Sequence, residues 1–185
     1  MSDWWTSAEG THDQVWRVLE AGAADADDPA RLVALATTSP EGWPEVRTVV
    51  LRKADRASGC IAIHTDLYSD KIPSLRKTPR MALSVWHPGH DLQIRLQGLV
   101  AISAGEDVRD LWNRIPDHAQ QAYGVTPPPG TPIPDALDYV KSPDPATFAV
   151  LDCTIEAIDA VHLGQAHRRI RFLRQNAWQG EWLSP

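Results

Sequence analysis

Apolar and polar residues alternate along much of this chain, and the alternation is clearest between residues 91 and 103. There Leu92, Ile94, Leu96, Gly98 and Val100 fall on one face, and Gln93, Arg95 and Gln97 on the other. A period of two predicts a strand with one buried face. Shorter runs predict strands at 31–38, 43–52, 60–65, 81–86 and 147–160, and a closing hairpin at 169–175 and 178–183. Turn chemistry separates them, as in Ser39-Pro40-Glu41-Gly42 and His87-Pro88-Gly89-His90. In the second strand Val46, Thr48, Val50 and Arg52 share one face, and Arg47, Val49 and Leu51 share the other. The helical period appears near the start: Val15, Trp16, Val18 and Leu19 predict a helix over about 11–22 with Thr11 as its N-cap. Ser69 is placed to cap a short helix reaching Leu75 and Arg76, which Thr78-Pro79 ends. Further helical turns are predicted at 105–114 and 116–123.

Successive short strands with one short helix between them predict a meander or barrel rather than a βαβ fold. Closing such a sheet removes its exposed edges. Eight of the fifteen prolines lie between Pro116 and Pro145, which predicts a long irregular loop over about 124–146. A loop of that length in a compact domain is functional or wraps a partner subunit.

Composition narrows the class. A chain of 185 residues is expected to form one domain, and 43% hydrophobic content suffices for a core. A net charge of -6 speaks against nucleic acid as the main partner, because there is no basic surplus to release counterions. Local basic clusters remain, at Arg47, Arg52, Lys53 and Arg56, and again at Lys71, Arg76, Lys77 and Arg80. That distribution suits a small anionic ligand. Two cysteines without a CxxC point to a reducing compartment. The opening Met1-Ser2-Asp3-Trp4-Trp5 is acidic and not followed by an apolar run, so no signal peptide is expected. No run approaches the ~20 apolar residues of a membrane span, and a cytoplasmic protein is expected.

One constellation carries candidate chemistry. Arg47 lies mid-strand, Thr65 ends the next strand, and Ser69-Asp70-Lys71 opens the short helix. A lone strand arginine is ordinarily a snorkelling or edge residue. Here a guanidinium, an ammonium, two hydroxyls and helix-start N–H groups are drawn from three elements, which suits a phosphate. Neither GxGxxG nor GxxxxGK is present, so the site is neither a Rossmann nor a P-loop type.

The order of these pieces resembles the pyridoxamine 5'-phosphate oxidase family of FMN-binding split barrels. The residues that carry the resemblance are Arg47 to Arg52, His64-Thr65, Ser69-Asp70-Lys71, Thr78-Pro79 with Trp86, Leu92-Gln93-Ile94 with Gly98, and Arg171-Phe172 with the ending Trp178 to Pro185. The resemblance implies a mainly β, single-domain FMN-binding split β-barrel of antiparallel Greek-key type with peripheral helices, assembled as a homodimer with FMN at the subunit interface. It implies a cofactor cradle of Arg47, Thr48, Val49, Val50, Leu51, Arg52, His64, Thr65, Ser69, Asp70, Lys71, Gln93 and Arg171. In it Arg47 and Lys71 would hold the phosphate, with Thr65 and Ser69 nearby. The main chain of Val49 to Leu51 would hydrogen-bond the ring edge, Gln93 would reach the ring from the partner subunit, and Arg171 would approach from the final hairpin. FMN, a flavoprotein oxidoreductase activity and an unidentified small-molecule substrate follow as expectations. A non-catalytic flavin carrier or redox sensor, or a barrel holding deazaflavin or haem, are the alternatives.

Departures from the family pattern bear on the substrate. Arg52 replaces a lysine, His64 a tyrosine, and Asp70 stands where a second basic residue is common. Where family oxidases clamp the substrate's phosphate with Tyr, Arg and Ser, this chain has Leu111, Ile115 and Ala119. The C-terminal Arg-x-His substrate pair becomes His167-Arg168-Arg169, which makes His167 and Arg169 the candidates for orienting an anionic substrate. FMN binding is therefore carried over, and oxidation of pyridoxamine phosphate is not. His87-x-x-His90 needs no metal as a polar turn, and none is expected. Without GxSxG no hydrolase is expected.

Overall fold

The structure, a computed structural model, describes residues 3–185; Met1 and Ser2 of the opening segment lie outside it. A single 3-10 turn at Trp4–Thr6 leads into α1, Ala8–Ala24. The helix therefore starts earlier than the expected residue 11. Ser7, in extended backbone, accepts the N–H of Gly10 at 3.0 Å and is the true N-cap. Thr11 is buried inside the helix, with its hydroxyl on the Ser7 carbonyl at 2.9 Å.

Five strands follow: β1 Leu32–Thr38, β2 Pro44–Asp55, β3 Cys60–Asp66, β4 Arg80–His87 and β5 Leu92–Ala104. The short helix α2, Lys71–Lys77, lies between β3 and β4. After β5 come α3, Arg109–Trp112, and α4, Asp117–Gln120. The proline-rich stretch holds a two-residue pair, β6 Val125–Thr126 with β7 Val140–Lys141, so it is pinned at its base. The chain ends with β8 Phe148–His162, β9 Arg168–Leu173 and β10 Gly180–Leu183.

The main sheet runs β10-β9-β8-β3-β2-β1-β4-β5, and β5 pairs back onto β8. Six antiparallel strands thus close into a barrel, as the strand count and short turns predict. The fifteen-residue β8 makes closure possible. Its first half pairs with β3 and its second half with β9, while β5 runs along it from Ala149 to His162. A bulge lets β8 change partner: Gln97 faces Ala157 and Gly98 faces Ile155, so Glu156 is extra. Gly98 is required there, because a Cβ would collide with the Thr154 carbonyl.

The alternation in β5 is realised residue by residue, with Leu92, Ile94, Leu96, Gly98 and Val100 buried. They join Val33, Leu35, Leu51, Ile63 and Leu83 inside the barrel, where Trp16 and Leu19 of α1 seal one end. Each buried leucine, isoleucine or valine among them contributes about 1.5–3 kcal/mol on burial. A second, smaller core lies outside β3 and β8. There Trp112, Tyr123, Phe148 and Val150 pack with Leu111 and Ile115.

Candidate functional site

The barrel's pleat decides what each residue of β2 can reach. Arg47, Val49 and Leu51 turn inward, and Val46 and Thr48 outward. Arg47 sits where the barrel meets α2, and half-burial there makes it a fixed cation rather than a waving one. Its Nη1 donates to Thr37 Oγ1 at 2.6 Å, and its Nη2 to Glu45 Oε2 at 2.9 Å. Ser74 of α2 donates to the same Glu45 oxygen at 3.3 Å.

The turn between β3 and α2 supplies the other donors. Lys71 Nζ donates to Thr65 Oγ1 and to Ser69 Oγ, each at 2.9 Å. Burial, and then the nearby Arg47 guanidinium, push the Lys71 pKa below its ordinary value. Ser69 does not cap α2 as expected. Its hydroxyl instead donates to the Asp66 carbonyl at 2.7 Å, and the N-cap residue is Asp70 with no side-chain bond to the helix. Asp66 organises this turn: its buried carboxylate accepts the N–H of Tyr68 at 2.8 Å and that of Gly124 at 3.0 Å. Arg47, Ser69 and Lys71 line one open cleft of about 510 Å3, together with Glu45, Val46, Asp70 and Pro129.

Five of the expected cradle residues lie elsewhere: Thr48, Arg52 and His64 close by, and Gln93 and Arg171 farther round the sheet. Thr48 is exposed on the outer face. Arg52 is the unpaired residue of a bulge, since Leu51 faces Ile63 and Lys53 faces Ala62. Bulges re-aim side chains, and Arg52 comes to lie near His64 and Tyr123. His64 leaves β3 on the face opposite Thr65 and meets the Phe148 ring edge-on at 5.1 Å. Burial, reinforced by Arg52 and opposed by Asp152, lowers its pKa to about 4, so it is neutral at pH 7. Burial raises the Tyr123 pKa beside the same Arg52.

Gln93, Arg169 and Arg171 share another region, the outer face of the sheet. The cross-strand register there runs Thr48, Ala34, Ser84, Arg95, Asp159, Arg171, Glu181 from β2 to β10. Small residues make its floor, and charges alternate along its far side. Asp159 accepts from Arg95 at 2.8 Å and from Arg169 at 2.8 Å, and these arginines hold its carboxyl below the usual range against the opposing effect of burial. Arg171 donates to Glu181 at 2.7 Å. This groove also measures about 510 Å3 and shares Val46 with the cleft at Arg47 and Lys71. Within one chain Gln93 lies three strands from Arg47, about 14 Å in sheet spacing alone. His167 is exposed in the β8–β9 turn. Leu111 and Ile115 pack into the second core and offer no donor.

Sequence reasoning missed Glu45, Thr37, Ser74, Asp66 and Pro129. Glu45 was within reach of it, because residues two apart on a strand share a face. Nothing in the local sequence announces that Pro129 returns to α2.

Among the described residues no group of three or more His, Cys, Asp or Glu side chains is arranged for a metal. No described helix is long and apolar enough to cross a membrane.

Known proteins match this arrangement. The family model described as "Pyridoxamine 5'-phosphate oxidase, FMN-binding domain" matches residues 13–104, from α1 to the end of β5. Pyridoxine/pyridoxamine 5'-phosphate oxidase 2 of Arabidopsis thaliana is 29% identical over 195 residues, covering 95% of this chain and 97% of that protein. Pyridoxine/pyridoxamine 5'-phosphate oxidase of Bacteroides fragilis is 30% identical over 125 residues, 66% of this chain. That match spans about half of the relative, 51%. A solved structure of a pyridoxamine 5'-phosphate oxidase-related, FMN binding protein from Nostoc punctiforme superposes with a TM-score of 0.76 at 23% identity, covering 100% of this chain and 98% of that one, a likeness of fold. The matched segment contains β1 to β5 and, except for Pro129, the residues lining the cleft between β2 and α2, and the whole chain shares the fold of the solved relative. The chain belongs to the pyridoxamine 5'-phosphate oxidase-like family of FMN-binding split-barrel proteins.

Proposed function

We propose that this protein is an FMN-dependent oxidoreductase, working as a homodimer on a small molecule other than pyridoxamine phosphate. The convergence of Arg47, Lys71, Thr65 and Ser69 carries this reading: two cations and two hydroxyls, linked to one another at 2.9–3.0 Å or lining the same cleft. That donor set fits a phosphate monoester, with charge-assisted bonds from Arg47 and Lys71. FMN, when bound, supplies two-electron hydride chemistry. The residues' part is to fix the phosphate, to offer the β2 main chain of Val49 to Leu51 to the ring edge, and to exclude water.

Gln93 and Arg171 belong to the same site only through a second copy of the chain, because Gln93 stands three strands from Arg47. The exposed apolar outer face supports that assembly. Leu32 is 61%, Val46 71% and Trp86 47% exposed, around a floor of Ala34, Ala36, Ala82 and Ser84. On this reading Arg169 and His167 orient an anionic substrate near the ring.

Leu111 and Ile115 are turned into the second core, and they favour a substrate that is not clamped by its own phosphate. Pyridoxine 5'-phosphate is expected to be oxidised poorly, and efficient turnover of it would contradict the assignment. The test of the reading is the absorbance of the purified protein with its reduction by NAD(P)H and by amines. A flavin band at about 450 nm that bleaches with a donor and returns in air is expected. A Soret band would exclude flavin as the ligand. A flavin that no donor reduces would favour a non-catalytic carrier, the reading that the missing phosphate clamp also supports.

A further inference from the structure

The proline-rich segment does more than connect α4 to β8. It leaves the second core at Tyr123 and is fastened at Gly124, whose N–H donates to the buried Asp66 carboxylate at 3.0 Å. The N–H of Ser142 donates to the Gly124 carbonyl at 2.9 Å, and β6 pairs with β7 just beyond. Gly124 has φ +87 and no room for a Cβ, which would strike the Ser142 carbonyl. From this anchored base the chain crosses to the phosphate-type cleft. Pro129 lines the cleft, and Gly130, at φ +85, lies so close to Asp70 that a Cβ would stand 2.9 Å from its Oδ1. Asp66 thus ties the strap to the same turn whose Ser69 and Lys71 offer donors.

The charges of the cleft are balanced and sorted. Arg47 and Lys71 are its cations, and Glu45 and Asp70 are its carboxylates. Pro129 brings no N–H donor. The cleft shares Val46 with the small-residue groove, which puts the groove next to it for the rest of a ligand.

We propose that Pro129, Gly130 and Asp70 form a stop that limits the cleft to one terminal phosphate monoester and rejects ligands in which that phosphate continues into a second phosphate and nucleoside. A single phosphate satisfies Arg47 and Lys71. A second one meets the Asp70 carboxylate, the donor-free Pro129 and the strap's backbone, and specificity of this kind comes from repulsion as much as attraction. The inference rests on the phosphate-site reading and adds the residues that choose among phosphate esters.

Fluorescence titrations of the full-length protein with riboflavin, FMN and FAD test it. FMN is expected to bind about tenfold or more tighter than FAD, and Asp70→Asn with Pro129→Ala to narrow that gap by about tenfold through stronger FAD binding. Asp70 is exposed and makes no helix-capping bond, so Asp70→Asn alone narrows the gap in the same direction in a folded protein. Wild-type protein that binds FAD as tightly as FMN overturns the stop, and so do variants with an unchanged FMN-to-FAD ratio. FMN bound no tighter than riboflavin overturns instead the phosphate-site reading beneath it.

Discussion

His64 illustrates how one residue's surroundings redirect its role. It lies near the end of β3 next to Thr65, yet the pleat sends the two side chains to opposite faces. Thr65 joins the cleft, and His64 packs edge-on against Phe148 in the second core. Burial first, and Arg52 second, lower its pKa from the ordinary 6.5 to about 4. The unfolded chain therefore binds a proton that the folded chain refuses. Stability is complete above pH 6.5 and declines as pH falls towards 4, by on the order of 2 kcal/mol. His64→Phe should flatten that part of the acid limb in urea denaturation measured from pH 7 to pH 4. An unchanged limb would place the acid sensitivity elsewhere. The sequence places His64 and Thr65 as neighbours in one cradle; the pleat separates them, and what receives His64 is a second core built largely from residues more than 40 positions later.

At the scale of elements, bulges are what pattern reading cannot supply. The alternation of β5 was legible from Leu92 to Val100, because one face is buried over that length. The bulge at Glu156 and the bulge at Arg52 were not, because each depends on register against a partner strand. Gly98→Ala should lower stability by about 2–3 kcal/mol, since the new Cβ meets backbone that cannot move aside. The midpoint of urea unfolding reads this directly, and a loss under ~0.5 kcal/mol would mean the bulge relaxes. The helix start is a second case. Thr11 has the right residue type, but Ser7 has the extended backbone that a cap needs. Ser7→Ala should cost about 1 kcal/mol, and Thr11→Ala should not reproduce it through the cap. The proline strap was legible as a long irregular loop, while its contact with Asp70 is tertiary and left no local mark.

For the whole molecule, the convergence of Arg47, Ser69 and Lys71 on one cleft was readable because they are local signatures on β2, on α2 and on the turn after β3. The outer groove was not readable as a unit, because its cross-strand rows are assembled from β1, β2, β4, β5, β8 and β9. On the proposed dimer, that groove is where a second copy brings Gln93 and Arg171. Leu32→Asp with Trp86→Asp should yield monomers in light scattering and weaken FMN binding at the same time; dimers with full affinity would move the interface elsewhere. Whether the Arg47–Lys71 cleft holds the FMN phosphate is decided by FMN and riboflavin affinities in the wild type and in Arg47→Ala with Lys71→Ala. Two charge-assisted bonds of roughly 1.5–3 kcal/mol each are at stake. The double variant is expected to lose FMN affinity by about a hundredfold or more while riboflavin binding stays level, so that the two flavins become equivalent. FMN still bound at wild-type strength would contradict it.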